Sequence, residues 1–174
     1  MNHSYGIKGL KSFQGHDGLA FSGQLTRNAQ AVATVMSDGN GGETDIEFLD
    51  TKAIPVPVTI RGYTGELHTR NGTPEEKLFY DYLNAQPARE SSIIPGKTCY
   101  DTDDIFIENL IYDQQEEKSY RRKCKTQTLY RTKDGSRNSY CSLNIPWGDR
   151  ARKYIQEKVG SNLLEVINER YPDI

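Results

Sequence analysis

Residues 101–117 carry seven carboxylates, Asp101, Asp103, Asp104, Glu108, Asp113, Glu116 and Glu117, and no lysine or arginine. Clustered carboxylates are the usual ligands of a hard divalent cation, so a small metal-dependent nuclease is one chemistry to consider. That chemistry needs carboxylates converging from different elements, whereas neighbours such as Asp103 and Asp104 on one helix diverge. The Glu75-Glu76-Lys77 triplet matches a nuclease pattern only as letters, because positions i and i+2 of a helix do not face each other. The plainest reading of the acidic run is a solvated helix face. Its functional reading is a surface that binds a protein, through Asp101, Asp103, Asp104, Glu108 and Asp113, including mimicry of a phosphate backbone.

The charge then reverses. Residues 118–137 hold eight lysines and arginines against one carboxylate, Asp134, with Tyr120 and Tyr130 interleaved. If Arg121, Lys125 and Arg131 share a face, cations can grip phosphates while tyrosines stack on bases. Lys118, Arg121, Arg122, Lys125, Tyr130 and Arg131 are therefore the candidates for nucleic-acid binding, the alternative to a protein-binding surface. The competing reading is a helix whose basic end complements its own dipole. A net charge of −2 supplies no global attraction to nucleic acid or an anionic membrane.

Two further groups are weaker. His16-Asp17 could pair a base with an orienting carboxylate, but sequence neighbours seldom supply that geometry, and no nucleophile motif accompanies them. The stretch VMSDGNGGETD, residues 35–45, offers Asp38 and Asn40 as loop candidates. It fails as a calcium loop because Leu49 occupies the twelfth position, and as a phosphate loop because no lysine and helix follow. Its glycines suit a connection between strands at positive φ. No cofactor and no metal site is expected. Trp147, after Pro146, is expected to anchor packing between the last hairpin and the last helix.

The elements that position these residues follow from periodicity. Leu19, Phe21 and Leu25 alternate with polar residues over residues 18–26, a turn at Arg27-Asn28-Ala29-Gln30 leads into Ala31–Met36, and Thr44–Leu49 alternates again. Residues 52–63 are extended but hold Pro55 and Pro57, which confines them to a sheet edge. Gly62, Gly65 and Gly72 mark a loop. Thr73-Pro74-Glu75-Glu76 is a helix start with a capping box, and the helix should end before Pro87. Residues 85–100 show no period and form a candidate functional loop. Asp101 or Thr102 caps a second helix that runs to about Cys124, acid first and base last. Residues 126–132 and 139–145 form a hairpin on Asp134-Gly135. Asp149 caps a third helix, Gly160 interrupts it, and Ser161–Arg170 is a last short helix.

A chain of 174 residues can bury about 70% of the surface it exposes unfolded. The expected class is α+β: an antiparallel sheet of about five or six short strands packed on one face by three helices, in a single domain spanning residues 1–174. Three cysteines at wide spacing, Cys99, Cys124 and Cys141, fit reduced thiols better than a disulfide framework. The amino terminus lacks a basic leader with an apolar segment, and no stretch approaches the roughly 18 apolar residues of a membrane span, so a soluble cytosolic protein is expected.

The segments LKSFQGHDGLAFSGQLTRNAQAVATVMSDGNGG and YRRKCKTQTLYRT, with the later ARKYIQEKVGSNLLEVINER, resemble the two ends of a set of small accessory proteins encoded by tailed phages. The shared pattern is KSF-G-DG-F, a hairpin, and then D-GNGG. The resemblance covers roughly the first 50 and last 55 residues, leaves the middle unmatched, and carries over no catalytic residue. It implies an accessory protein in the host bacterial cytoplasm. The expectation drawn from it is a non-enzymatic binder or inhibitor of a host or anti-phage defence protein, with nucleic acid as the alternative partner and a metal-dependent nuclease as the weaker alternative.

Overall fold

The structure is a computed structural model that describes residues 4–91, 95–135 and 139–174. The described residues form an α+β fold with three helices and eleven strands, all paired antiparallel. The strands are divided among a four-stranded sheet, a three-stranded sheet and two hairpins. Two compact units contain them, Met1–Tyr112 and Asp113–Ile174.

In the first unit β1 (Tyr5–Gln14), β2 (Leu19–Arg27), β3 (Gln30–Ser37) and β4 (Asp45–Phe48) form a sheet in sequence order, as a meander must. The β2–β3 turn places Asn28 and Ala29 at φ 51° and 68°, the handedness a two-residue hairpin requires. The Asn28 N–H also donates to the Ser4 carbonyl at 2.8 Å, which ties the turn to the start of β1. β1 is an edge strand whose register slips between Lys8 and Lys11, around Gly9 at φ +62°. The opposite edge, β4, exposes Asp45 and Glu47.

β5 (Val56–Arg61) pairs with β6 (Leu67–Gly72) and, among the described residues, with no other strand. A two-stranded ladder leaves each strand one open edge, which is how Pro57 is accommodated within β5. β6 occupies residues read from the sequence as loop, because it buries no side chain and shows no alternation. α1 (Pro74–Asn84) starts at Thr73 with the expected capping box: Glu76 N–H donates to Thr73 Oγ1 at 3.1 Å and Thr73 N–H to Glu76 Oε2 at 3.2 Å. The last turn of α1 holds no basic residue. Arg61 from β5 supplies the charge instead, donating to the carbonyls of Leu83 and Gln86, both at 3.0 Å, while stacking on Tyr100. Within residues 85–100, β7 (Arg89–Glu90) pairs with β8 (Thr98–Cys99); residues 92–94 of that stretch lie outside the described residues. The core of this unit joins Phe21, Leu25 and Val35 of the sheet to Val58, Phe79, Leu83, Ile107 and Ile111.

α2 (Asp103–Cys124) matches its expected span, and its residues from Asp113 onward belong to the second unit. There β9 (Thr128–Thr132) pairs with β10 (Cys141–Leu143), as the hairpin reading required; residues 136–138 at its tip lie outside the described residues. α3 (Asp149–Lys158) has Gly148 at its cap position and no side-chain cap bond, so Asp149 is the first helical residue and not the cap. The short helix expected over Ser161–Arg170 is a strand, β11 (Leu163–Val166), between two single 3₁₀ turns. The other edge of β9 is open to pairing and takes it up: Leu163 faces Thr132, and Val166 faces Tyr130. A short apolar run fits helix or strand equally, and the unpaired ladder decides.

Candidate functional site

The start of the acidic run is already engaged within the first unit. Asp101 accepts from Arg89 Nε at 2.7 Å. Asp103 accepts the hydroxyl proton of Tyr80, whose own ionisation is pushed far up, first by burial and then by this carboxylate. Asp104 Oδ1 accepts from the Thr44 N–H at 2.6 Å and so holds the start of β4. Three of the five proposed docking carboxylates thus join elements of their own fold. Glu108 and Asp113 are exposed, as is Tyr112, which lies between them in the sequence of α2.

The basic run divides in the same way. Lys118, Arg122 and Lys125 are exposed. Arg121 Nε pairs with Glu117 at 3.0 Å and covers the Tyr171 ring. Arg131 is half-buried, bonded to the Tyr120 hydroxyl at 2.9 Å and to Glu165 at 3.2 Å. Tyr120 and Tyr130 are buried. A shared phosphate-gripping face of Arg121, Lys125 and Arg131 with stacking tyrosines is therefore not what these residues form, because β9 turns Tyr130 into the core and Arg131 into an ion-pair network.

The glycine loop is a structural connection. Asp38 Oδ1 accepts from the Asn40 N–H at 2.9 Å, and this bond holds its carboxyl below the usual range. The Asp17 N–H donates to the Gly39 carbonyl at 2.9 Å, joining this loop to the β1–β2 turn. Gly39 has φ +72°, and a Cβ there would lie 2.8 Å from the Ala20 nitrogen. Gly39→Ala should destabilise the first unit by about 2 kcal/mol in urea denaturation, from a disfavoured backbone region and a clash with β2. His16 Nδ1 and Asp17 Oδ1 lie 3.0 Å apart on the adjoining turn, both well exposed. Among the described residues no three His, Cys, Asp or Glu side chains are grouped to hold a metal ion. Cys99 and Cys124 are buried and Cys141 is exposed, all free.

Two features were not legible in the sequence. The first is the β4–β5 connection, which presents Leu49 at 52% exposure and Ile54 at 85%. Its backbone is nevertheless fixed: the Glu75 N–H donates to Asp50 Oδ2 at 3.0 Å, and the Ala53 N–H to the Asp50 carbonyl at 2.9 Å. Asp50 thus caps α1 from outside while its own loop turns apolar side chains outward. Glu75 is held in turn by Arg27, through two bonds of 2.6 and 2.8 Å. The second is a cavity of about 350 Å³ in the second unit, lined by Lys125, Trp147, Arg152, Asn168, Glu169 and Tyr171 among others. Trp147 packs against the cluster of Tyr130, Ile155 and Val166, as an anchor should, and also walls this cavity. The cavity is assembled from α2, α3, the approach to α3 and the chain after β11, so no local motif announces it.

Among the described residues no helix is long and apolar enough to cross a membrane. The chain matches no protein-family model, and no curated protein or solved structure matches it either.

Proposed function

We propose that this chain is a phage accessory protein that binds a host or anti-phage defence protein in the bacterial cytoplasm and acts by that binding, without catalysing a reaction. The observation that carries the reading is the β4–β5 connection, where Ile54 and Leu49 stand exposed on a backbone pinned by Asp50. An apolar side chain held outward on an ordered loop contributes nothing to its own core and loses little conformational freedom when a partner covers it. Glu108 and Tyr112, exposed on the first unit's part of α2, offer a further polar and aromatic contact surface. The resemblance of both ends of the chain to tailed-phage accessory proteins supplies the setting.

The test is an affinity capture from phage-infected cells, with nuclease treatment before elution. One host protein should be recovered in stoichiometric amount. Ile54→Glu should keep the fold, since the side chain is almost wholly in solvent, and lower the affinity for that protein at least tenfold by calorimetry. Undiminished capture by the variant would remove the loop from the interface. Recovery of nucleic acid alone in a parallel capture without nuclease, and of no host protein in either, would overturn the reading itself.

A further inference from the structure

The second unit holds a cavity that plays no part in the reading above. The cavity of about 350 Å³ continues on both sides: Lys125 also lines a neighbouring depression with Arg121, and Trp147, Arg152 and Glu169 also line a groove toward Leu163 and Leu164. Its polar lining separates into groups already satisfied and groups left over. Asn168 spends its amide on three backbone partners, and the Tyr171 hydroxyl donates to Glu117. Lys125 and Arg152 have no ion pair among the described residues, and both are exposed. Arg152 rests over the Trp147 ring with its guanidinium carbon 5.0 Å from the ring centroid.

The Arg152 guanidinium covers the ring and is held there by no ion pair among the described residues, so its displacement onto an anion would open the face it covers to a planar group. A ligand that uses both must carry a flat, weakly polar face and a negative group a few ångströms away. We propose that this cavity binds a nucleotide unit, its base stacked on Trp147 and its phosphate held by Lys125 and Arg152. Stacking on an aromatic side chain is tolerant of base identity, and Arg and Lys are the ordinary partners of phosphate. The cavity volume falls at the lower end of the range for small-ligand sites, about 300–1,000 Å³, which suits one such unit. The open continuations past Lys125 and past Arg152 allow the unit to be a free mononucleotide or one link of a single strand. Glu169 is the carboxylate side chain in the lining, and it opposes the phosphate.

Trp147 is the one tryptophan of the chain, so its fluorescence reports the site directly. The full-length protein, excited at the red edge of tryptophan absorption, is titrated with AMP, with a short single-stranded oligonucleotide and with inorganic phosphate. Saturable quenching by AMP assigns a free nucleotide, and quenching by the oligonucleotide alone assigns a strand. Lys125→Ala and Arg152→Ala should each weaken binding about tenfold, with unchanged circular dichroism, and Glu169→Gln should tighten it. Absence of quenching by both AMP and oligonucleotide overturns the proposal, as does quenching that neither cationic variant reduces or that phosphate alone reproduces. No partner protein is present in this experiment, so its outcome is separate from that of the capture.

Discussion

Asn168→Ala is expected to cost the second unit about 3–5 kcal/mol. The Asn168 side chain is buried, and it accepts the Leu129 N–H at 2.7 Å while donating to the carbonyls of Gln127 at 2.8 Å and Cys124 at 3.3 Å. One amide therefore holds together the end of α2, the start of β9 and the turn after β11. Removing it strands one backbone donor and two acceptors, and each buried group left without a partner costs about 1–3 kcal/mol. The fluorescence of Trp147 follows the unfolding of this unit in urea, and its midpoint should fall sharply. Asn168→Leu, with the same branching and number of side-chain heavy atoms but no hydrogen-bonding atoms, should do no better than alanine. A leucine variant as stable as the parent would show that packing and not bonding is what this position supplies.

Phe79→Ala should cost the first unit about 4–5 kcal/mol. The Phe79 ring is fully buried on α1, and its neighbours are the rings of Tyr5, Phe48, Tyr80 and Phe106, at centroid distances of 5.4, 5.8, 5.3 and 5.9 Å. These come from β1, β4, α1 and α2, so the truncation opens a cavity where four elements meet. The loss lies at the upper end of the range for a phenylalanine truncation, about 3–5 kcal/mol, because the edge-to-face contacts with Tyr5 and Tyr80 go with the ring. Hydrogen exchange at the Leu25 and Ala33 amides, on fully buried residues of β2 and β3, should accelerate in step with the lost stability. Phe79→Leu, which keeps most of the volume, should lose less than half as much. Equal losses for the two variants would mean that the site does not depend on filled volume.

The elements legible in the sequence are those whose signals are local. Thr73, Pro74 and Glu76 are enough to start α1, because a capping box is closed by residues three apart. The acid-to-base gradient of α2 and the alternation of Leu19, Phe21 and Leu25 are equally self-contained. β6 is the opposite case: every side chain from Leu67 to Asn71 faces solvent, so nothing in their pattern separates a strand from a loop. β11 could be recognised only through the vacant edge of β9, which lies far away in sequence. The same physics governs the site residues. Asp103 and Asp104 read as a free acidic face because their partners, Tyr80 and Thr44, lie 23 and 60 residues earlier. Glu108 and Lys125, which have no such distant partner among the described residues, are exposed as their sequence context suggests.

The irregularity in β1 bears on how the molecule behaves in a crowd of its own copies. An outermost strand ten residues long is a ready template on which other chains can stack. Here the register slip at Gly9 kinks the row of backbone donors and acceptors, and exposed Lys8 and Lys11 stand on either side of the kink. An incoming strand meets a bend and two ammonium groups that repel an identical edge, features that blunt an edge strand against pairing with further copies.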